Sequence, residues 1–226
     1  MIPIGDVNPR RHFPLVTVIF IAINTLVFIY QLTLSEADLQ RFFLSAAIIP
    51  ARVTQSPDLG ALWSIITSMF LHGGTMHIIG NMLYLWIFGD NIEELFGALL
   101  YIFFYLLSGI VAAAAQVLVY PTSTTPTLGA SGAVAGVLGA YAVLFPQARV
   151  RTLLLAFYFI RFVELPALLV LGFWFVIQLF SGATAITTMS TGGVAWFAHI
   201  GGFSLGLLAG FFYRIVHKGV PRRRPT

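Results

Sequence analysis

Apolar residues in this chain are gathered into long runs separated by short polar or glycine-rich links. A helix that crosses a bilayer needs about 20 predominantly apolar residues. By that measure six runs predict spanning helices: about residues 14–32, 75–89, 98–119, 129–145, 165–180 and 195–216. The apolar stretch 152–163 carries Arg161 and abuts Glu164 and Pro166, so it predicts an interfacial loop; spanning separately, it would make the count seven. Residues 33–74 are long and mixed, with Glu36, Asp38, Arg41, Arg52 and Asp58 between apolar patches such as Phe42-Phe43-Leu44. That pattern suits short amphipathic helices lying at the interface. The link between the second and third runs carries Asp90, Glu93 and Glu94 and reads as a solvated turn. The expected fold is an all-α polytopic bundle of six transmembrane helices over 14–216. A short segment, 1–13, precedes it and a basic tail, 217–226, follows.

Composition agrees with a bilayer setting. Of 226 residues, 58% are hydrophobic and 9% charged, against about 25% charged in soluble domains. The absence of cysteine excludes disulfides, thiolate metal sites and cysteine nucleophiles. The net charge of +4 makes no nucleic-acid surface, because the basic residues flank apolar runs. They carry topology information instead. With six helices, Arg10, Arg11, Arg149, Arg151, Arg161, Arg214, Lys218, Arg222, Arg223 and Arg224 fall on one side, and Arg41 and Arg52 on the other. The bias predicts that both termini are cytoplasmic. Arg10-Arg11-His12 precede the first run, but no small-residue cleavage site follows, so that run is read as a retained helix. The compact six-helix form fits a multi-pass protein of a prokaryotic plasma (inner) membrane.

This topology makes the polar residues converge. Helices two, four and six run inwards from the outer face. His77 and Asn81 lie in the first turns of helix two, Ser131 in the first turn of helix four, and His199 in the first turns of helix six. All four belong to the outer half of the membrane at similar depth. Gly132, Gly136 and Gly139 give helix four a smooth face, and Gly202, Gly206 and Gly210 do the same for helix six. Such faces let membrane helices approach closely, close enough for Ser131 to reach His199 as nucleophile to base. His77 and Asn81 are four apart and share one helix face, from which each can donate a hydrogen bond to a developing oxyanion.

In these residues the chain resembles the rhomboid family of intramembrane serine proteases. The matching motifs are His72, His77 and Asn81; then Gly129-Ala130-Ser131-Gly132; then Ala198-His199-Ile200-Gly201-Gly202 with Gly206 and Gly210. The resemblance runs from the first helix to the sixth, and the three motifs in this order on alternate helices are specific. It implies Ser131 as nucleophile and His199 as general base and then general acid, a dyad without an acidic third member. It implies an oxyanion hole of His77, Asn81 and the Ser131 backbone N–H, with Gly129 leaving space beside the nucleophile. The first loop would be membrane-embedded, the fifth helix with Phe173 and Trp174 a lateral gate, and 192–196 a cap. Two positions depart from the family pattern: Trp63 is followed by Ser64 rather than arginine, and Ala135 stands where many members place an aromatic under the histidine ring.

The substrates implied are transmembrane proteins whose helices unwind easily near the cut, within the lipid bilayer. No cofactor, metal or nucleic acid is called for, and the oligomeric state is open. His72, His77 and His199 could suggest zinc, but His72 and His77 are five apart and share a helix face poorly; His72 reads as a structural hydrogen-bonder. The alternative is a non-catalytic relative that binds membrane helices, although such proteins generally lose the serine or the histidine, and both are present here.

Overall fold

The computed structural model describes residues 2–8, 10–156, 159–187 and 195–217. Among these, four helices are long and apolar enough to cross a membrane: α1 (Leu15–Thr33), α6 (Ala98–Val119), the Ala167–Ala185 part of α8 (Ala167–Thr187), and α9 (Trp196–Val216). Two further helices complete the bundle. α5 (Thr75–Phe96) is as long but carries three carboxylates, and α7 (Ser131–Leu144) has 14 residues. The segment after α1 folds into three short helices, α2 (Glu36–Ala46), α3 (Pro50–Gln55) and α4 (Leu59–Thr67), and a 3-10 turn at Ser68–Phe70. Ser35 caps α2 by accepting from Asp38 N–H, and Asp58 caps α4 by accepting from Ala61 N–H.

The acidic link is not a solvated turn. α5 continues through it and stops at Gly97, whose φ of +76° favours glycine and lets α6 begin at the next residue. Glu93 is buried because α1 has Pro14 at its N-cap, with no side-chain cap of its own. The Glu93 carboxylate takes that role from α5. It accepts from Val16 N–H at 2.9 Å, Thr17 N–H at 2.8 Å and the Thr17 hydroxyl at 2.7 Å. Orphan N–H groups at a helix start favour an anionic acceptor.

A small sheet replaces the loop expected over 152–163. β2 (Arg149–Ala156) and β3 (Phe159–Pro166) pair antiparallel, and β1 (Ile2–Asp6) pairs antiparallel with the outer edge of β2. The local period is two: Val150 and Thr152 are buried while Arg149 and Arg151 are exposed. Asp6 then ties the sheet to the bundle, accepting from the Tyr141 hydroxyl at 2.5 Å and the Asn91 amide at 3.0 Å.

α7 is the buried axis; every residue from Gly132 to Leu144 is buried. It lies backbone to backbone on α9. A Cβ added at Gly202 would collide with the Gly132 carbonyl, one at Gly206 with the Gly136 carbonyl, and one at Gly139 with the Phe203 carbonyl. The sheet covers the C-terminal ends of α5 and α7, so their N-terminal ends open at the opposite end of the bundle.

Candidate active site

At that opposite end the first turns of α5, α7 and α9 meet the last turn of α6 around a cavity of about 1010 Å³. This is at the upper end of the range for ligand pockets, about 300–1,000 Å³. His77, Asn81, Ser131, Trp174, Trp196 and His199 all contribute to its wall.

Ser131 is the first residue of α7, so its N–H has no intrahelical acceptor and points out of the positive end of the helix. The chain enters through Gly129, whose φ is +130° and whose N–H donates to Ser68 C=O at 2.9 Å. A Cβ on Gly129 would lie 2.8 Å from His77 Cε1, 2.9 Å from His77 Nε2 and 3.5 Å from Ser131 Oγ. Glycine therefore lets the His77 imidazole and the Ser131 hydroxyl approach the same point. Two strand-like hydrogen bonds between Ile48 and Thr127, at 3.0 and 2.7 Å, and one from Ala51 N–H to Ser123 C=O at 2.9 Å hold the first loop against this entry. The departure at Ser64 is accommodated locally: its buried hydroxyl donates to Ala61 C=O at 2.7 Å, and Arg52 pairs with Asp58 at 3.0 Å.

Asn81 is held from behind. Its Nδ2 lies 3.0 Å from His72 Nε2, with the amide donating to the ring. His72 is 1% exposed, and its backbone is clamped at both groups by Gln31 of α1, N–H to Oε1 at 3.1 Å and C=O from Nε2 at 2.6 Å. One amide hydrogen of Asn81 is thus engaged by His72, and a second remains for the cavity.

His199 is buried at the floor of the cavity. Its support comes from α8. Trp174 lies with its ring centroid 5.8 Å from the imidazole, and Gln178 Oε1 is 2.7 Å from Nδ1. Trp196 meets the ring edge-on at 6.2 Å. These contacts fill the role left open by Ala135. Phe173, paired with Trp174 in the sequence reading, is 54% exposed and does not line the cavity. No hydrogen bond joins Ser131 to His199 among the described residues; catalytic hydrogen bonds are often loose before substrate binds.

The structure therefore brings together Ser131, His199, His77 and Asn81, with His72 behind Asn81, Gly129 beside Ser131, and Gly132 and Gly202 in the helix contact behind it. Residues 192–194 of the expected cap lie outside the described residues. Gln178 was missed. Its signal is that of a lone amide in an apolar span, four residues after a tryptophan.

A family model described as Rhomboid domain matches residues 59–215. Rhomboid protein 1, mitochondrial, of Saccharomyces cerevisiae is 33% identical over 212 residues, covering 90% of this chain and 54% of that protein. RHOMBOID-like protein 6, mitochondrial, of Arabidopsis thaliana is 34% identical over 152 residues, 66% of this chain and 43% of that protein. Rhomboid protease GluP of Bacillus subtilis is 30% identical over 128 residues, 56% of this chain and 24% of that protein. The chain spans about half the length, or less, of these curated relatives. Likeness to mitochondrial proteins overturns the expectation of a prokaryotic plasma membrane with cytoplasmic termini; a multi-pass membrane protein still fits.

Proposed function

Because the chain belongs to the rhomboid family, we propose that it is an intramembrane serine endopeptidase that cuts transmembrane substrates with a Ser131–His199 dyad. The observation that carries this reading is the placing of Ser131 at a helix N-terminus in one cavity with His199, His77 and Asn81.

His199 Nε2 takes the hydroxyl proton as Ser131 Oγ attacks the scissile carbonyl carbon. The resulting oxyanion accepts hydrogen bonds from the Ser131 N–H, the free amide hydrogen of Asn81 and the His77 ring. Collapse breaks the C–N bond, and the leaving amine takes the proton from His199. Water, with His199 again as base, then hydrolyses the acyl-enzyme and restores Ser131. Irregular backbone and water at membrane depth are tolerated where they line a cavity of this kind.

In this reading α1, α5, α6, α7, α8 and α9 are six spans, and the segment 33–74 is a membrane-associated first loop. The site faces the membrane side opposite the β-sheet. The membrane is read as mitochondrial from the likeness to relatives so named. Substrate helices must unwind for an amide to reach Ser131, so weak helices with Gly or Pro near the cut are favoured.

The test uses the full chain in liposomes with a transmembrane substrate, wild type beside Ser131→Ala. The expected result is cleavage by wild type alone, with fluorophosphonate labelling that disappears in the variant. Equal cleavage by both removes Ser131 as nucleophile. Neither cleavage nor labelling by wild type leaves a helix-binding protein without catalysis.

A further inference from the structure

α8 sets a buried amide against His199, which lines the cavity. Gln178 is 5% exposed in a helix otherwise built from apolar and small residues around it. Burying an amide in such a setting is costly unless its hydrogen bonds are made. Both ends of this one are engaged. Oε1 lies 2.7 Å from His199 Nδ1, and Nε2 donates to the Trp174 carbonyl at 3.4 Å.

That pair of contacts fixes which way the amide points. With the amide reversed, Oε1 would face the Trp174 carbonyl, acceptor against acceptor, so the orientation with Oε1 towards the ring is favoured. An acceptor at Nδ1 requires hydrogen on Nδ1. The neutral imidazole then keeps Nε2 bare. A bare Nε2 is what a base facing a serine hydroxyl needs, and the opposite tautomer cannot take the proton.

We propose that Gln178 is a positioning residue for His199, holding the imidazole in the Nδ1–H tautomer and in its rotamer from the neighbouring helix. The proposal rests on the reading of His199 as the base. Trp174 is four residues earlier on the same face of α8 and sets the ring plane, while Gln178 sets its rotation. The amide is neutral, so it orients the base without holding an extra charge beside it. Its contribution is geometric, and it belongs to the rate rather than to substrate binding.

The variants Gln178→Leu and Gln178→Glu separate this role from packing. Leu fills the space and removes the acceptor. Its kcat is expected to fall about 10- to 100-fold, by analogy with loss of the hydrogen-bond partner that orients a metal-ligating histidine, with KM and Tm close to wild type. Glu restores an acceptor, so kcat at high pH should recover towards wild type. Its carboxylate favours the protonated ring, and the acidic limb of the pH–rate profile should move to higher pH. The titratable side chains sharing the cavity are His77 and Tyr84 of α5 and Tyr120 after α6; among the described residues α7 and α8 bring none to its wall. These are unchanged in both variants, so a displaced limb belongs to His199. An unchanged kcat in Gln178→Leu, or an unmoved limb in Gln178→Glu, overturns the proposal.

Nitrogen-15 NMR of the histidines in detergent reads the tautomer without turnover. The Nδ1–H form in wild type, lost in Gln178→Leu, is expected. The Nε2–H form in wild type overturns the proposal whatever the activity. The expected tautomer in a protein that never cleaves would leave the positioning intact and remove the protease reading instead.

Discussion

Gly202 of α9 rests directly on the carbonyl oxygen of Gly132 of α7, so that no side chain separates the helix carrying His199 from the helix carrying Ser131. Even a methyl group at position 202 must push the two backbones apart. Gly202→Ala should lower activity and Tm, and Gly202→Val should do so more severely, with the cost of overpacking about 1–3 kcal/mol. Gly172 on α8 is the control, because a Cβ there meets nothing within 4 Å. Gly172→Ala should leave activity and Tm at or slightly above wild type. Equal tolerance at both positions would show that the α7–α9 contact does not set the site.

Asn81 and His72 should separate by magnitude. In the proposed mechanism Asn81→Ala removes a donor to the oxyanion, and it is expected to reduce kcat by about 10- to 1,000-fold with little change in KM. His72→Ala removes the group that holds the Asn81 amide and the edge-on ring contact with His77 at 5.2 Å, while the Gln31 clamp on its backbone survives. Its kcat loss should be smaller and in the same direction. Steady-state kinetics on the two variants and their double mutant reads the coupling. Fully additive losses would mean that His72 does not act through Asn81.

Glu93→Ala tests the far end of the bundle. It leaves the N–H groups of Val16 and Thr17 without their acceptor at the buried start of α1. A buried unmade hydrogen bond costs about 1–3 kcal/mol, so thermal unfolding should come at a clearly lower temperature. Turnover well below that temperature should survive, since Glu93 is remote from the cavity. An unaltered Tm would mean that water or lipid headgroups replace the carboxylate.

Asp58 gives the first loop a pH dependence. The Ala61 N–H and then Arg52 hold its carboxyl below the usual carboxylate range. A depressed value means that the cap is fully present above the unfolded value of about 4 and is lost as pH falls through the folded one. Hydrogen exchange at the Ala61 amide should therefore lose protection on acidification, after allowance for the intrinsic rate. Asp58→Asn should flatten that dependence.

The gathering of His77, Asn81, Ser131 and His199 at one cavity was legible because the chain repeats a helical logic: small residues every four positions on two helices, and polar residues in the first turns of three. Those signals are local, and the topology aligned them. Gln178 was not legible in the same way. A lone amide 21 residues before His199 has no spacing that links the two; only the lean of α8 on α9 does. The carboxylates at 90–94 were misread for a related reason. Burial of Glu93 depends on donors 76 and 77 residues away. The sheet was misread because a short apolar run with charges does not choose between loop, helix and strand by itself, and β1 comes from the other end of the chain.

The brevity of α7 carries a consequence for the surroundings. Fourteen residues rise about 21 Å, well short of a hydrocarbon core about 30 Å thick. With its far end moored to the sheet through Tyr141 and Asp6, an α7 that spans as proposed leaves Ser131 below the lipid surface by roughly the difference. The depth of Ser131 is then a property of helix length and bilayer thickness together. In vesicles of shorter-chain lipids the same protein would present Ser131 nearer the water, and the favoured cut would slide along the substrate towards its exposed end.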